Sequence, residues 1–418
     1  MNRIAVLSFT VMGALAGVFG TTGAAFAHEP GTLLEVEEPK RYSIEDIELE
    51  TEVLFGEFAG APVARYEVDK YRIRYRSTDV DGSGAEIIAR LFVPIYTAPA
   101  ERPVLAFGSG TTGVAEHCAP ILEVPEENRW GNFVANMLGY ATEGYIAIFP
   151  DYLGFGDPDT PQRYFSAEAE AHVLLDAIRA VHNFFEEDEL ACLRCTAVRP
   201  SRTHFAAGYS QGGHAAHAAA DFRDAYAPEI ELAGLIGFAQ TNNVATLMRE
   251  MAYYTPYIIY SYAEIYGYDE IDPAEYLQEQ WLDTFEQDVN RLCVEDFQYH
   301  YPRDGAELYT AAFYEALHAE RLEEEFPAMA ARLEENLTGY SGHELPSLVL
   351  QGEHDIIIST AEQDRFVADL CRLGSPVRYE VLNRARHRDV RSAGFRKSVN
   401  WMNRIMDNDA PPSDCDAF

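Results

Sequence analysis

His204-Phe205-Ala206-Ala207-Gly208-Tyr209-Ser210-Gln211-Gly212-Gly213-His214-Ala215-Ala216-His217-Ala218-Ala219-Ala220 is the stretch on which the fold turns. A short apolar run leads into Gly208, and an alanine-rich segment of helical character follows Gly213. Strand, sharp turn and helix thus surround a Gly-x-Ser-x-Gly motif, the pattern of a nucleophile elbow. A serine at the tip of such a turn sits in a strained backbone conformation. Small neighbours let the helix pack back against the strand while the hydroxyl points outward.

Partners for Ser210 follow in the order Ser, acid, His. Leu348-Val349-Leu350-Gln351-Gly352 reads as a buried strand, with Glu353-His354-Asp355 at its end. Beyond Asp355 there is one histidine, His387, placed after a strand from Val377 to Leu382 and a short basic loop, Asn383 to Arg386. Each candidate stands just past a strand, where loops collect at one edge of a parallel sheet. The reading is a serine nucleophile, His387 as general base and Asp355 as the acid that orients it. Glu353 is the rival acid, and the strand-Gly-x-x-Asp spacing favours Asp355. Two N–H donors are needed for the oxyanion. One is the amide of Gln211; the other belongs to the loop after Val104 to Phe107, with Thr111 preferred and Gly110 or Thr112 as alternatives. Tyr152, Tyr209 and Tyr257 are the candidate substrate contacts. Asp151 reads as structural, His214 and His217 as packed histidines, and Asn336-Leu337-Thr338 as an accidental glycosylation sequon.

Four stretches make the chain resemble the secretory lipase family of α/β-hydrolases, the lipase A type and its bacterial relatives. They are Gly110-Thr111-Thr112-Gly113 with Cys118-Ala119-Pro120, Pro150-Asp151-Tyr152-Leu153-Gly154-Phe155-Gly156, Gly208 to Gly213, and the Asp355/His387 pair. Where relatives often carry histidine before Gly-Thr-Thr-Gly, this chain has Ser109. The resemblance implies a secreted esterase or lipase acting on an acylglycerol or other small ester, with no cofactor. It also implies disulfides Cys118–Cys293 and Cys371–Cys415, leaving Cys192 with Cys195. Six cysteines by themselves allow 15 pairings.

Residues 1–27 read as a signal peptide: Arg3, an apolar core from Ile4 to Phe19, and Ala25-Phe26-Ala27 as cleavage site. The expectation is a secreted or periplasmic protein without a stable membrane anchor. No metal is expected, because the cysteines are scattered and no His-x-Glu-x-x-His occurs. The formal net charge of −36 argues against nucleic acid and anionic membrane as partners. Sequence is silent on the oligomeric state.

Residues 28–418 read as one α/β-hydrolase domain with a doubly wound, mostly parallel sheet. Residues 28 to about 60 read as a weakly patterned arm, and Arg65–Tyr75 with Ile87–Ile95 as an antiparallel pair. Strands at 104–108, 145–149, 204–208 and 232–239 then alternate with helices near 128–142 and 167–185. A helical, tyrosine-rich segment at about 241–342 reads as a lid inserted before the strand that carries Asp355. A peptidase or amidase on this fold is the rival enzyme reading, and a binding protein on an inactive hydrolase scaffold the rival outside enzymes.

Overall fold

A computed structural model describes residues 29–418 apart from 57, 126, 129, 159, 188, 189 and 191–195. Among the described residues ten strands form one sheet: β1 (Leu33–Val36), β2 (Lys40–Tyr42), β3 (Val68–Thr78), β4 (Gly84–Pro94), β5 (Ala100–Gly108), β6 (Ile146–Pro150), β7 (Val198–Tyr209), β8 (Leu232–Phe238), β9 (Ser347–Gly352) and β10 (Val377–Leu382). The order is β1-β3-β4-β6-β5-β7-β8-β9-β10, and β2 also pairs with β3. Along that order every pairing from β6 to β10 is parallel, whereas β4 meets β6 antiparallel and β1 to β4 are antiparallel throughout.

Burial explains the two kinds of strand. In β3, Tyr71, Ile73 and Tyr75 turn inward while Arg72 and Arg74 remain partly exposed. In β6 and β9 every residue is buried, because helices cover both faces of the parallel half. Leu105 and Phe107 of β5 join one core, and Val104 and Ala106 the other. Helix α1 (Ile44–Phe55), α2 (Phe133–Thr142) and the late helix Val390–Met406 contribute to the first core. Helices α3 (Ala167–Glu186) and α4 (Gln211–Tyr226) contribute to the second.

The amino-terminal region, expected to be a weakly patterned arm, carries regular structure. It supplies β1, β2 and α1, the last opened by a reciprocal Ser43/Asp46 capping box. Helix α1 buries Ile47, Thr51 and Phe55, four residues apart, and Phe55 lies 4.8 Å from the Phe395 ring. Such a narrow apolar stripe in an acidic segment gives little periodic signal; the partner for it comes from the far end of the chain. Helix α2 begins at Phe133, later than the expected start near 128. Its start is set by Glu123, whose carboxylate accepts from the N–H groups of Gly131, Asn132 and Phe133 at 2.6–2.9 Å.

Between β8 and β9 the chain is helical, from Val244–Glu250 to Pro327–Glu335. Its tyrosines are largely internal: Tyr257 stacks on Phe297 at 3.6 Å, and Tyr262 and Tyr276 are fully buried. A disulfide from Cys118 to Cys293 joins this segment to the loop after β5, and Cys371–Cys415 ties the tail to the helix Thr360–Arg372. Cys192, Cys195 and the expected signal segment lie outside the described residues. No described helix is long and apolar enough to cross a membrane.

Candidate active site

Ser210 stands between the last residue of β7 and the first of α4, at φ 53° and ψ −114°. A non-glycine residue rarely adopts this conformation, and its neighbours hold it there. The Ser210 N–H donates to the Phe238 carbonyl at 2.9 Å, and its own carbonyl accepts from Thr241 at 3.2 Å and Gly213 at 3.0 Å. The flanking glycines serve close approach. A Cβ on Gly208 would lie 1.9 Å from the Gly212 oxygen, and one on Gly212 would lie 2.0 Å from the Gly108 oxygen.

Asp355 follows β9 in a turn whose amides fix its carboxylate. Oδ1 accepts from the N–H groups of Ile357 at 2.8 Å and Ile358 at 3.0 Å, and Oδ2 lies 2.7 Å from His387 Nδ1. The carboxylate therefore accepts the Nδ1 proton and leaves Nε2 as a lone pair. Nε2 lies 3.1 Å from Ser210 Oγ. The Asp355 side chain is 0% exposed; that of Glu353 is 49% exposed and accepts the Arg384 N–H at 2.8 Å. Three side chains from the ends of three parallel strands thus form one hydrogen-bonded chain, and Glu353 lies apart from it.

Thr111 and Ser210 border a single cavity of about 320 Å³. Gln211 is the first residue of α4, where N–H groups have no intrahelical partner. The Thr111 hydroxyl is 2.7 Å from the Tyr164 hydroxyl. Of the three tyrosines expected at the substrate, the structure brings only Tyr209 to the cavity, its ring 5.0 Å from that of His387. Tyr152 donates to the Ser109 carbonyl at 2.8 Å and Tyr257 to the Leu292 carbonyl at 2.6 Å. Both are buried braces, one beneath the loop after β5 and one inside the helical insertion. Trp130, Tyr253 and Tyr254 form aromatic wall instead.

A buried network beneath the elbow has no signature in the sequence. Glu170 of α3 accepts from Gln211 Nε2 at 2.7 Å and lies 2.6 Å from His214 Nδ1, while His214 Nε2 meets the Asn336 carbonyl at 2.8 Å. It links α3, α4 and the insertion. The Asn336 side chain is itself buried, accepting from the Ala167 N–H at 2.8 Å. Asp151 accepts from the Ile121 N–H at 2.9 Å, and burial pushes its carboxyl up to about 7. His117 lies close to Cys118 and Cys293, but both sulfurs are in a disulfide and offer no thiolate for a metal.

A model of the family described as Secretory lipase matches residues 133–413. A probable trichothecene esterase of Stachybotrys chartarum is 27% identical over 181 residues, 40% of this chain and 33% of that protein. Lipase A of Moesziomyces aphidis is 25% identical over 174 residues, 39% of this chain and 33% of that protein. These alignments span a third of the length of the curated relatives. Among solved structures, the closed state of Candida antarctica lipase A superposes with a TM-score of 0.67 at 17% identity, covering 93% of this chain and 85% of that one. The ligand-bound rice cell wall degrading esterase of Xanthomonas oryzae gives 0.70 at 18% identity, covering 91% and 100%. The shared architecture is the α/β-hydrolase fold.

Proposed function

The chain belongs to the secretory lipase family, and from that premise we propose that it is an exported carboxylic ester hydrolase working through an acyl-Ser210 intermediate. The observation that carries this reading is the chain of contacts from Asp355 through His387 to Ser210 at 2.7 and 3.1 Å. Ser210 Oγ attacks the ester carbonyl as His387 Nε2 takes its proton. The Nδ1 contact to Asp355 fixes the imidazole tautomer and stabilises the imidazolium. The tetrahedral oxyanion is received by the amides of Gln211 and Thr111. Return of the proton to the alcohol oxygen completes C–O cleavage and leaves the acyl group on Ser210. Water then attacks the acyl carbon with the same base, releasing the acid and restoring the serine.

The insertion at 241–342 acts as the lid of the site. Tyr253, Tyr254 and Val294 reach the cavity from it, and Cys118–Cys293 ties it to the loop bearing Thr111. Export rests on the leader-like residues 1–27 and on the family. Two disulfides suit an oxidising compartment. The test is hydrolysis of 4-nitrophenyl esters from acetate to palmitate by the wild type and by Ser210→Ala. Turnover abolished in the variant is the expected outcome, and the optimum chain length reads the depth of the pocket. A folded, oxidised wild type inert on every ester, or a variant that keeps full activity, would sink the proposal.

A further inference from the structure

The catalytic cavity differs in charge from the chain around it. Acidic residues outnumber basic ones 68 to 32, yet no Asp or Glu is among the described residues that line the cavity. Arg386 and Arg388, on either side of His387, border it together with His354. They belong to the eight residues Arg384–Arg391, which contain four arginines.

A second cavity, of about 550 Å³, shares Trp130 and Arg388 with the first. Past these two residues its polar lining includes Gly131, Asn132 and Arg391, with the carboxylates Glu52 and Asp389 also on its wall. Arg391 is 2% exposed, bonded to the Gly131 carbonyl and, at 3.2 Å, to Asn136 Oδ1. Its buried Nε has no acceptor among the described residues. A desolvated guanidinium with an orphan N–H favours an anionic acceptor nearby. Among the described residues, the nearby carboxylates are engaged or in water. Asp389 is held by Arg386 at 2.9 Å, Glu295 lies 3.8 Å from Arg388, and Glu52 is exposed. A guanidinium offers five N–H donors, so Arg388 can take a further carboxylate alongside the contacts it already makes, Glu295 among them.

We infer that Arg388 determines specificity by selecting esters that carry a second, ionised carboxyl group, with the scissile carbonyl at Ser210 and the carboxylate beyond Trp130. This rests on the ester-hydrolase reading above. The anion can stand on the acyl or the alcohol side, and two matched pairs of probes separate these. One pair is the 4-nitrophenyl half-ester of adipic acid against 4-nitrophenyl hexanoate; the other is 4-acetoxybenzoate against its methyl ester.

Binding is measured calorimetrically on Ser210→Ala, which leaves the probes intact, and turnover on the wild type. The anionic member of at least one pair is expected to bind about 10-fold more tightly than its neutral match, the scale of one charge-assisted contact. Arg388→Gln in the same background should reduce that ratio to near unity. Arg384→Gln makes the same charge change at an exposed residue that borders neither cavity, and should preserve it. No anion preference in either pair, or a preference that survives Arg388→Gln, overturns the inference. Selective binding without any wild-type turnover would instead remove the ester-hydrolase reading while leaving an anion site.

Discussion

Asp355 and Glu353 lie two residues apart, and the direction of their side chains separates their roles. Asp355 presents one oxygen to two amides and the other to His387; Glu353 turns to Arg384 and solvent. Asp355→Asn keeps the shape but disfavours the Nδ1–H tautomer, so kcat is expected to fall about 10⁴-fold. Glu353→Gln should leave it within about twofold. Stopped-flow or steady-state rates on one ester settle the comparison, and equal losses would remove the assignment. Asp151 makes stability depend on pH. An aspartate carboxyl ordinarily titrates at 3.8, and burial moves that of Asp151 to about 7. Between those values the folded state keeps a proton that the unfolded chain has lost. The stability contributed by neutral Asp151 is therefore complete below 3.8 and lost as pH rises through about 7. Asp151→Asn removes that slope, so its Tm should gain on the wild type steadily from about pH 4 to about pH 8; a constant gap would contradict this. Ser210, Asp355 and His387 are legible in the chain because each follows its own strand. Trp130 is not, because no local pattern marks a residue brought to the cavity by distant packing. Tyr152 and Tyr257 lie away from the cavity for the same reason: composition marks a tyrosine, but only the fold shows where its hydroxyl goes.

The elbow owes its rigidity to contacts between elements as well as to its own glycines. Glu170 on α3 bonds the side chain of Gln211 and His214 on α4, and His214 reaches the insertion through Asn336. Removing the acid takes a buried partner from three polar groups, the third being the Phe165 N–H at 3.2 Å, so Glu170→Ala should cost about 3–5 kcal/mol. Urea unfolding of Glu170→Ala, His214→Ala and the double variant tests this. A strongly non-additive cycle is expected, and additive losses would show that Glu170 and His214 do not act together. The bond from Cys118 to Cys293 closes a loop of sequence separation 175 and joins the Thr111 loop to the helical insertion. Cys293→Ser is expected to destabilise the protein by about 2–5 kcal/mol and lower kcat/KM, read by thermal unfolding and ester turnover. Unchanged turnover in a folded variant would separate the bond from the site. The alternation of β3 and the amphipathic face of α3 are readable from the chain, as is the apolar run 204–208 of β7, though not that strand's start at Val198. Helix α1 and the start of α2 are not: one buries a narrow stripe against Phe395, and the other is capped by Glu123 from outside the helix.

The whole molecule carries a formal charge of −36, with three lysines, Lys40, Lys70 and Lys397, and arginine supplying the other cations. Most of that charge repels itself across the surface, which disfavours the compact state at low ionic strength. Salt shortens the range of repulsion from roughly 30 Å at 0.01 M to roughly 3 Å at 1 M. The Tm of the wild type is therefore expected to rise as NaCl increases over this interval. Around Ser210 the sign of the lining is reversed, since Arg386 and Arg388 border the cavity and no described carboxylate does. The same salt series should therefore act oppositely on selectivity: the preference for an ester bearing a carboxylate falls while the fold gains stability. Neutral esters should show no matching loss in kcat/KM, because no long-range attraction draws them in. Parallel melting curves and rates across one NaCl series read both effects. A Tm that fell with salt would refute surface repulsion as the main influence of salt on the fold, and an anion preference unchanged by salt would refute electrostatic selection at the cavity.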